Sequence, residues 1–284
     1  VGVEVITLPR IDVSDSLNAA NEARFGWYKR LSLVLFSAAL VSGYVWRISK
    51  RKNDSSVFLL LFVVMLILLF VFVNPVNSAR WRIIGFGTSF ILIIFTFRSF
   101  VAKLAIFVSY IFGSILVYPL ISVVSRTADQ WEHVSSGNIE DFFAAGDFDG
   151  FQSIMHAVHY AENFGYSNGF GLLAGVFSFI PRSIWPDLPR HSGYIVSQWL
   201  YSSNTNLSMP VFGEAYINFG VFGFILVFIF GVLVGKVDRS VEDSRSSGFW
   251  YLMSVVLAGN MLFISRGSFQ SSAEFIVIIL ISVF

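Results

Sequence analysis

The chain has 284 residues, of which 55% are hydrophobic and only 13% are charged. A soluble domain has about 25% charged residues, so this composition excludes an ordinary soluble protein and predicts an all-α, polytopic membrane protein. The formal net charge of +1 and the scattered basic residues argue against a nucleic-acid partner. The sequence has no cysteine, which excludes disulfides and thiolate metal sites.

Long apolar segments predict a single membrane domain over residues 1–284, with about seven spanning helices. A polar segment is expected at 1–26, four spans within 27–122, a large loop at 123–210 and further spans within 211–284. The apolar runs that indicate individual spans lie at 31–46, 57–73, 83–97, 104–122, 213–235 and 249–265. The last run, FIVIILISVF, is too short to span, so we expect the chain to be truncated.

Basic residues predict the orientation of the bundle. The short loops 47–52, 98–103 and 236–245 are rich in Lys and Arg, and alternation of the spans places all three on one side. Lys and Arg favour the cytoplasmic side of a membrane. The large loop is therefore expected to be extracytoplasmic.

Two segments of the large loop have helical patterns. Asp147–Phe164 is expected to be an amphipathic helix, whose apolar residues recur at helical spacing: Phe148, Phe151, Met155, Val158 and Tyr160 or Ala161. Phe170–Ile180 is apolar but too short to span, so it is expected to be an interfacial helix that Pro181 ends. We interpret Asp147 and Asp149 as helix-capping residues rather than as a metal motif.

Candidate chemical residues concentrate between Phe179 and Gly223. Arg182 and Arg190, together with Arg266, are predicted to lie on one side of the membrane. Arginine binds phosphate through two parallel hydrogen bonds, which suits a pyrophosphate-linked lipid. The alternative is simple anchoring to lipid headgroups.

Glu214 is predicted at the mouth of the fifth span, where a carboxylate facing lipid costs about 2–3 kcal/mol. We therefore expect it to face the protein interior, either as a general base or in an ion pair with an arginine. Glu274 permits the same two interpretations. His191 is a candidate acid, base or phosphate contact, whereas His156 and His159 lack a third ligand for zinc. Neither a metal site nor a cofactor is predicted.

Four features follow one another in this part of the sequence: FIPRSIWPDLP, NTNLSMPVFGEAYINFGVFG, an inner loop and a span ending in RG. In this order they resemble the Wzy-type O-antigen and polysaccharide repeat-unit polymerases. The resemblance covers about 169–235 and extends to Arg266 and Gly267. It implies a bacterial inner-membrane glycosyltransferase of the GT-C type, without sugar nucleotide or metal. Such an enzyme joins undecaprenyl-pyrophosphate-linked oligosaccharide repeats into O-antigen or capsular or exopolysaccharide at the periplasmic face.

The resemblance assigns expected roles to this chain's residues. The expected catalytic residues are Arg182, Glu214 and His191, with Glu214 or His191 as the base. The residues expected to bind substrate and pyrophosphate are Arg190, Arg266, Asp187, Trp185 and Asn206. The expected partners are the lipid-linked oligosaccharide, membrane lipid, a chain-length regulator and a flippase, and no nucleic acid.

Three alternatives remain open. An O-antigen ligase, or another polyprenyl-phosphate-dependent glycosyltransferase, would share the large loop and its arginines but use another acceptor. A transporter or flippase for lipid-linked sugar would show internal repeats and helices broken at mid-membrane, and no repeat is evident. A structural membrane subunit would not need the clustered Arg, Glu and His.

Overall fold

The structure is a computed structural model. It describes residues 19–49, 55–73, 78, 80–95, 99–124, 150–177, 180, 184–200, 207–242, 248–269, 272–273, 276–277 and 279. Within these ranges all regular secondary structure is helical, which confirms the all-α prediction. Residues 1–18 of the polar segment, Asp147 and Asp149 lie outside the described residues, whereas 19–26 begin the first helix.

Four helical stretches among the described residues are long and apolar enough to cross a membrane: Leu31–Ser49, Ser55–Phe72, Val211–Ser240, which contains a 3₁₀ turn, and Gly248–Arg266. The apolar helices Trp81–Ile94 and Phe100–Gly113 are shorter. These helices support a polytopic membrane protein. The expected number of seven spans stays a prediction.

The chain divides into two compact units. The first contains Val1–Phe143, Val255–Asn260 and Ser282–Phe284, and the second contains Ala144–Ser254 and Met261–Ile281. In the first unit, four helices follow one another: α1 (Ala19–Ser49), α2 (Ser55–Phe72), α3 (Arg80–Ile94) and α4 (Phe100–Val124). The single membrane domain expected from the sequence stays a prediction.

Aromatic rings fill the contact between the first three helices. Phe36 of α1 is fully buried, and its ring stacks on Phe86 of α3 with 3.9 Å between centroids. Phe62, one of the few buried residues of α2, meets Phe90 of α3 edge-on at 5.9 Å. Such pairs contribute about 0.5–1.5 kcal/mol each beyond the area they bury. These few phenylalanines thus fill the contact between the three helices.

Arg47 ties the carboxyl-terminal ends of two helices together. Its guanidinium donates a hydrogen bond of 3.2 Å to the carbonyl oxygen of Ile93, in the last turn of α3. A cation near the carboxyl end of a helix also interacts favourably with the helix dipole. The ends of α1 and α3 therefore lie on the same side of this unit, as the alternation of spans requires.

Small residues permit close contact between α3 and the segment Val255–Asn260. The Ser89 hydroxyl donates to the carbonyls of Gly85 and Val255, at 2.8 and 3.3 Å. A side chain at Gly85 would overlap the buried Asn260 side chain. Small residues at helix contacts let membrane helices approach closely.

This contact predicts different effects on stability when each of two glycines of α3 is replaced by alanine. Gly85→Ala must displace Asn260, and overpacking of this kind costs about 1–3 kcal/mol. Gly87→Ala meets no atom within 4 Å, and alanine favours a helix over glycine by about 1 kcal/mol. We expect the melting temperature in detergent to fall for Gly85→Ala and to stay level or rise for Gly87→Ala. Equal shifts for both variants would contradict the helix contact.

The second unit contains α5 (Gly150–Phe164), α6 (Phe170–Val176), α7 (Ser192–Leu200), α8 (Val211–Phe219), a 3₁₀ turn (Gly220–Phe222) and α9 (Gly223–Glu242). The helix α10 (Gly248–Arg266) contributes residues to both units. A buried cluster formed by Ala157, Val196, Met209 and Ile217 joins α5, α7 and α8.

The amphipathic helix is confirmed from Gly150 onward, and its large apolar residues are not the ones that are buried within the unit. Phe151 and Met155 are 74% and 57% exposed. The buried residues of α5 are instead the small ones, Ser153, Ala157 and Ala161. They allow α8 to lie close, because Gly213 of α8 faces Ala157 and Ile154 of α5. The interfacial helix is also shorter than expected and ends at Val176.

The predicted fifth span is interrupted. α8 ends at Phe219, and the 3₁₀ turn separates it from α9. Gly220 has φ of 58°, a conformation that favours glycine. The Tyr166 ring also lies where a side chain at Gly220 would project. The short helix before the break holds Glu214.

Candidate functional site

Glu214 lies inside the second unit. Its side chain is only 2% exposed. Its carboxylate accepts hydrogen bonds from the hydroxyl of Ser192 and from the backbone N–H of Phe269. Burying a carboxylate is costly unless hydrogen bonds replace its water, and these neutral donors provide that replacement. The prediction that Glu214 faces the protein interior is confirmed.

A small polar network holds the backbone around Glu214. Asn218 lies one turn further along α8 and donates to the Glu214 carbonyl at 2.8 Å. Its amide oxygen accepts a hydrogen bond of 2.8 Å from Ser167. The Ser167 backbone N–H donates in turn to the carbonyl of Ile217. The loop after α5 is thereby fixed to the helix that bears the carboxylate.

A cavity of about 230 Å³ opens beside this network. Its wall combines aromatic rings with a few polar side chains, a combination typical of small-molecule and substrate sites. Glu214, Ser192, Arg190 and Asn218 provide the polar part. The aromatic part consists of Tyr160, Phe164, Tyr166 and Phe170.

Arg190 lies at the exposed side of the cavity. Its guanidinium carbon is 4.5 Å from the centre of the Tyr194 ring, a cation–π contact. A contact with the ring face does not use the N–H donors of the guanidinium in hydrogen bonds. Those donors remain available for an anionic ligand, because arginine carries five of them.

His191 begins α7 as its capping residue. Its Nδ1 atom accepts a hydrogen bond of 3.0 Å from the Tyr194 backbone N–H. A neutral ring that accepts at Nδ1 has its proton on Nε2. In this tautomer His191 can donate a hydrogen bond through Nε2–H, but neither ring nitrogen has a free lone pair to take up a proton. The geometry therefore favours Glu214 over His191 as the base.

The structure describes some of the other predicted site residues but not all of them. Trp185 and Asp187 lie in the turn before Arg190, where the Leu188 N–H bonds to the Trp185 carbonyl, and Asp187 is exposed. Arg266 ends α10, shortly before Phe269 whose N–H reaches Glu214. Arg182, Asn206 and Glu274 lie outside the described residues, so their roles stay predictions.

Sequence reasoning missed Ser192, Asn218 and the aromatic wall. Asn218 follows Glu214 by four positions, a spacing that places two side chains on one helix face and could have revealed it. Ser192 had no such signal, because only the fold of α7 against α8 brings it to Glu214. Among the described residues, no three His, Asp or Glu side chains come together to hold a metal ion.

The family model for O-antigen polysaccharide polymerase Wzy matches residues 151–284. Residues 151–284 are therefore similar to the Wzy family, and we call them the Wzy-family segment. The resemblance expected over about 169–235 and at Arg266 and Gly267 is thereby confirmed, and with the apolar helices it indicates a membrane protein. The Wzy-family segment contains every residue of the cavity wall.

Two curated relatives support the same family. An O-antigen polymerase of Salmonella typhimurium is 26% identical over 117 residues, which are 38% of this chain and 29% of the relative. An O-antigen polymerase of Salmonella typhi matches with the same identity and coverage. The match spans less than a third of each relative's length. No solved structure matches this chain.

Proposed function

We propose that the full-length protein joins undecaprenyl-pyrophosphate-linked oligosaccharide repeats into O-antigen or a capsular or exopolysaccharide. The reaction would take place at the periplasmic face of a bacterial inner membrane, with the large loop extracytoplasmic. The observation that supports this most directly is the buried carboxylate of Glu214, which lines an aromatic cavity within the Wzy-family segment.

Polymerisation requires a new glycosidic bond. The acceptor hydroxyl oxygen attacks the anomeric carbon of the donor sugar, and its proton passes to a Glu214 carboxylate oxygen. The bond between the anomeric carbon and the pyrophosphate oxygen breaks, and lipid pyrophosphate leaves with the electron pair. A positioned general base of this kind contributes about 10²–10⁴-fold to a rate.

Ser192 and Phe269 are suited to prepare Glu214 for this step. The Ser192 hydroxyl donates to Oε2, and the Phe269 N–H also donates to the carboxylate. These bonds fix the carboxylate plane before substrate arrives. Fixed orientation is a major source of catalytic rate, because a reacting pair in the right geometry avoids the loss of entropy during reaction.

Negative charge grows on the pyrophosphate as it leaves. Arg190 at the cavity is proposed to stabilise that charge, and Arg182 and Arg266 are proposed to assist. Arginine remains charged at all working pH values and matches phosphate geometry. Preorganised cations near a developing charge are among the strongest catalytic devices, so we propose a reaction that is independent of metal. Trp185, Asp187 and Asn206 are proposed to contact the substrate, and His191 is proposed to donate a hydrogen bond to it through Nε2–H.

The test is a polysaccharide gel from a host that makes a matching lipid-linked repeat but lacks its own polymerase. The full-length protein should convert a single repeat into a ladder of lengths, and an empty vector should not. Transfer of only one repeat to lipid A would favour the ligase, and no new product would reject the proposed function. A flippase and a chain-length regulator are proposed partners that the host must supply.

Arg190 gives a prediction about charge and shape. Arg190→Lys retains the positive charge but loses the planar fork, and such sites are sensitive to this exchange. We expect at least about a tenfold loss of polymer formation, equal to about 1.4 kcal/mol. The exposed Arg239 of α9 provides a matched control, because Arg239→Lys should leave the ladder unchanged. A wild-type ladder with Arg190→Lys would remove Arg190 from pyrophosphate binding.

A further inference from the structure

An aromatic cluster lies beside the cavity and is not used by the bond-forming step. It consists of Tyr160 and Phe164 of α5 and Trp199 of α7, with His159 at its side, and we call it the aromatic platform. Tyr160 and Phe164 lie nearly parallel with centroids 4.8 Å apart. Trp199 meets these two rings edge-on at 5.8 and 5.9 Å, and His159 lies 5.1 Å from Trp199.

The platform remains accessible although its rings touch one another. Phe164 is 61% exposed, and Tyr160 and Trp199 are half-buried. Large aromatic side chains in a folded unit are expected to bury most of their surface. A contiguous exposed apolar patch often marks a binding site.

Two of the platform's rings also line the cavity. Tyr160 and Phe164 belong to its wall, together with Glu214 and Arg190. The platform is therefore a continuous extension of the candidate active site, and a chain-like ligand that enters the cavity would pass over it.

Polar side chains surround the platform. His159 and Glu162 approach to 4.0 Å, with side chains 63% and 62% exposed. The Asn163 amide donates to the His159 carbonyl at 2.8 Å, and Gln198 beside Trp199 is exposed. Lipid tails would not interact with this polar rim, because they neither donate nor accept hydrogen bonds. A sugar needs both surfaces, since its C–H face packs on an aromatic ring and its hydroxyl edge requires polar partners.

We propose that the aromatic platform binds sugar rings of the oligosaccharide, next to the bond-forming site. This inference rests on the proposed function, because it identifies how the glycan of that substrate is held. Holding the growing glycan would keep it near Glu214 between additions. The platform therefore favours long products rather than the first bond.

The test combines binding and product length in the full-length protein. The probe is a lipid-free oligosaccharide of two repeat units from the matching host, titrated by saturation-transfer NMR against purified protein in lipid nanodiscs. We expect Trp199→Ala to weaken this binding about three- to tenfold. On the gel, Trp199→Ala should still join two repeats but shift the ladder to short chains.

Two further variants separate stacking from packing. Trp199→Phe keeps an aromatic face and should retain binding and long chains, whereas Trp199→Leu keeps only apolar volume and should not. Trp250 of α10 is 40% exposed outside the platform, so Trp250→Ala is the matched control and should resemble wild type. If Trp199→Leu and Trp199→Phe gave equal oligosaccharide binding and equal chain lengths, the proposal would be overturned in favour of lipid contact. Binding by Trp199→Ala at the wild-type affinity would also overturn it.

Failure of the proposed function would look different. In that case wild-type protein would make no polymer, yet oligosaccharide binding would still depend on Trp199 and the platform would stand. Conversely, suppose that the wild-type protein made a ladder while substitution of Trp199 left oligosaccharide binding unchanged. That result would reject the platform and leave the proposed function standing.

Discussion

Replacing Glu214 by glutamine is expected to abolish the polymer ladder and leave a single repeat, with protein levels unchanged. Glutamine has nearly the same shape, and its amide oxygen can still accept the hydrogen bond from Ser192. It cannot take the proton of the acceptor hydroxyl. The loss of a general base lowers a rate about 10²–10⁴-fold. The polymer that remains is then too little for a gel to detect. The measurement is the gel, with an immunoblot for protein amount.

Glu162 provides the matched control for Glu214. Its side chain lies on α5 and is 62% exposed, so Glu162→Gln should keep the wild-type ladder at equal expression. A full ladder with Glu214→Gln would show that the carboxylate has a structural role only. His191→Gln is informative beside it, because it should reduce polymer less than Glu214→Gln if His191 acts only as a helix cap and hydrogen-bond donor.

Gly193→Ala is expected to damage the site without changing any reacting group. Gly193 lies in the first turn of α7, and a side chain there would overlap the backbone carbonyl of Leu207. A backbone atom cannot move aside as a flexible side chain can, so α7 must shift, and Ser192 and Arg190 shift with it. Overpacking costs about 1–3 kcal/mol of stability, and a displacement of about 1 Å can cost about 100-fold in rate.

A glycine in open space is the control for Gly193. Gly231 lies in α9, where an added side chain meets no atom within 4 Å. Gly231→Ala should therefore preserve both the melting temperature in detergent and the ladder. The account of α7 would be contradicted if Gly193→Ala matched Gly231→Ala in both measurements.

The helices were predictable because their causes are local. Runs such as 57–73 are apolar on every side, and only a membrane-spanning or buried helix suits that pattern. The structure has α2 at Ser55–Phe72, close to the prediction. The break at Gly220–Phe222 was not predicted, because NFGVFG remains apolar and its turn depends on Tyr166 from a distant part of the chain.

The candidate site was predictable only in part. Glu214 was recognisable because a carboxylate among apolar residues is costly and needs a reason. Its partner Ser192 could not be found, since a serine at a helix start is ordinary and only the tertiary fold gives it a role. The buried face of α5 could not be predicted for a related reason, because only the tertiary fold places the small Ala157 against Gly213 of α8.

The most direct measurement uses purified full-length protein in lipid vesicles with the lipid-linked repeat as its single substrate. Products are identified by mass spectrometry. The account predicts oligosaccharides of two and more repeats on lipid, with one undecaprenyl pyrophosphate released for each new bond, and no such products with Glu214→Gln. Intact substrate after incubation with wild-type protein, in vesicles where the protein is folded and the repeat matches, would contradict the proposed polymerase activity.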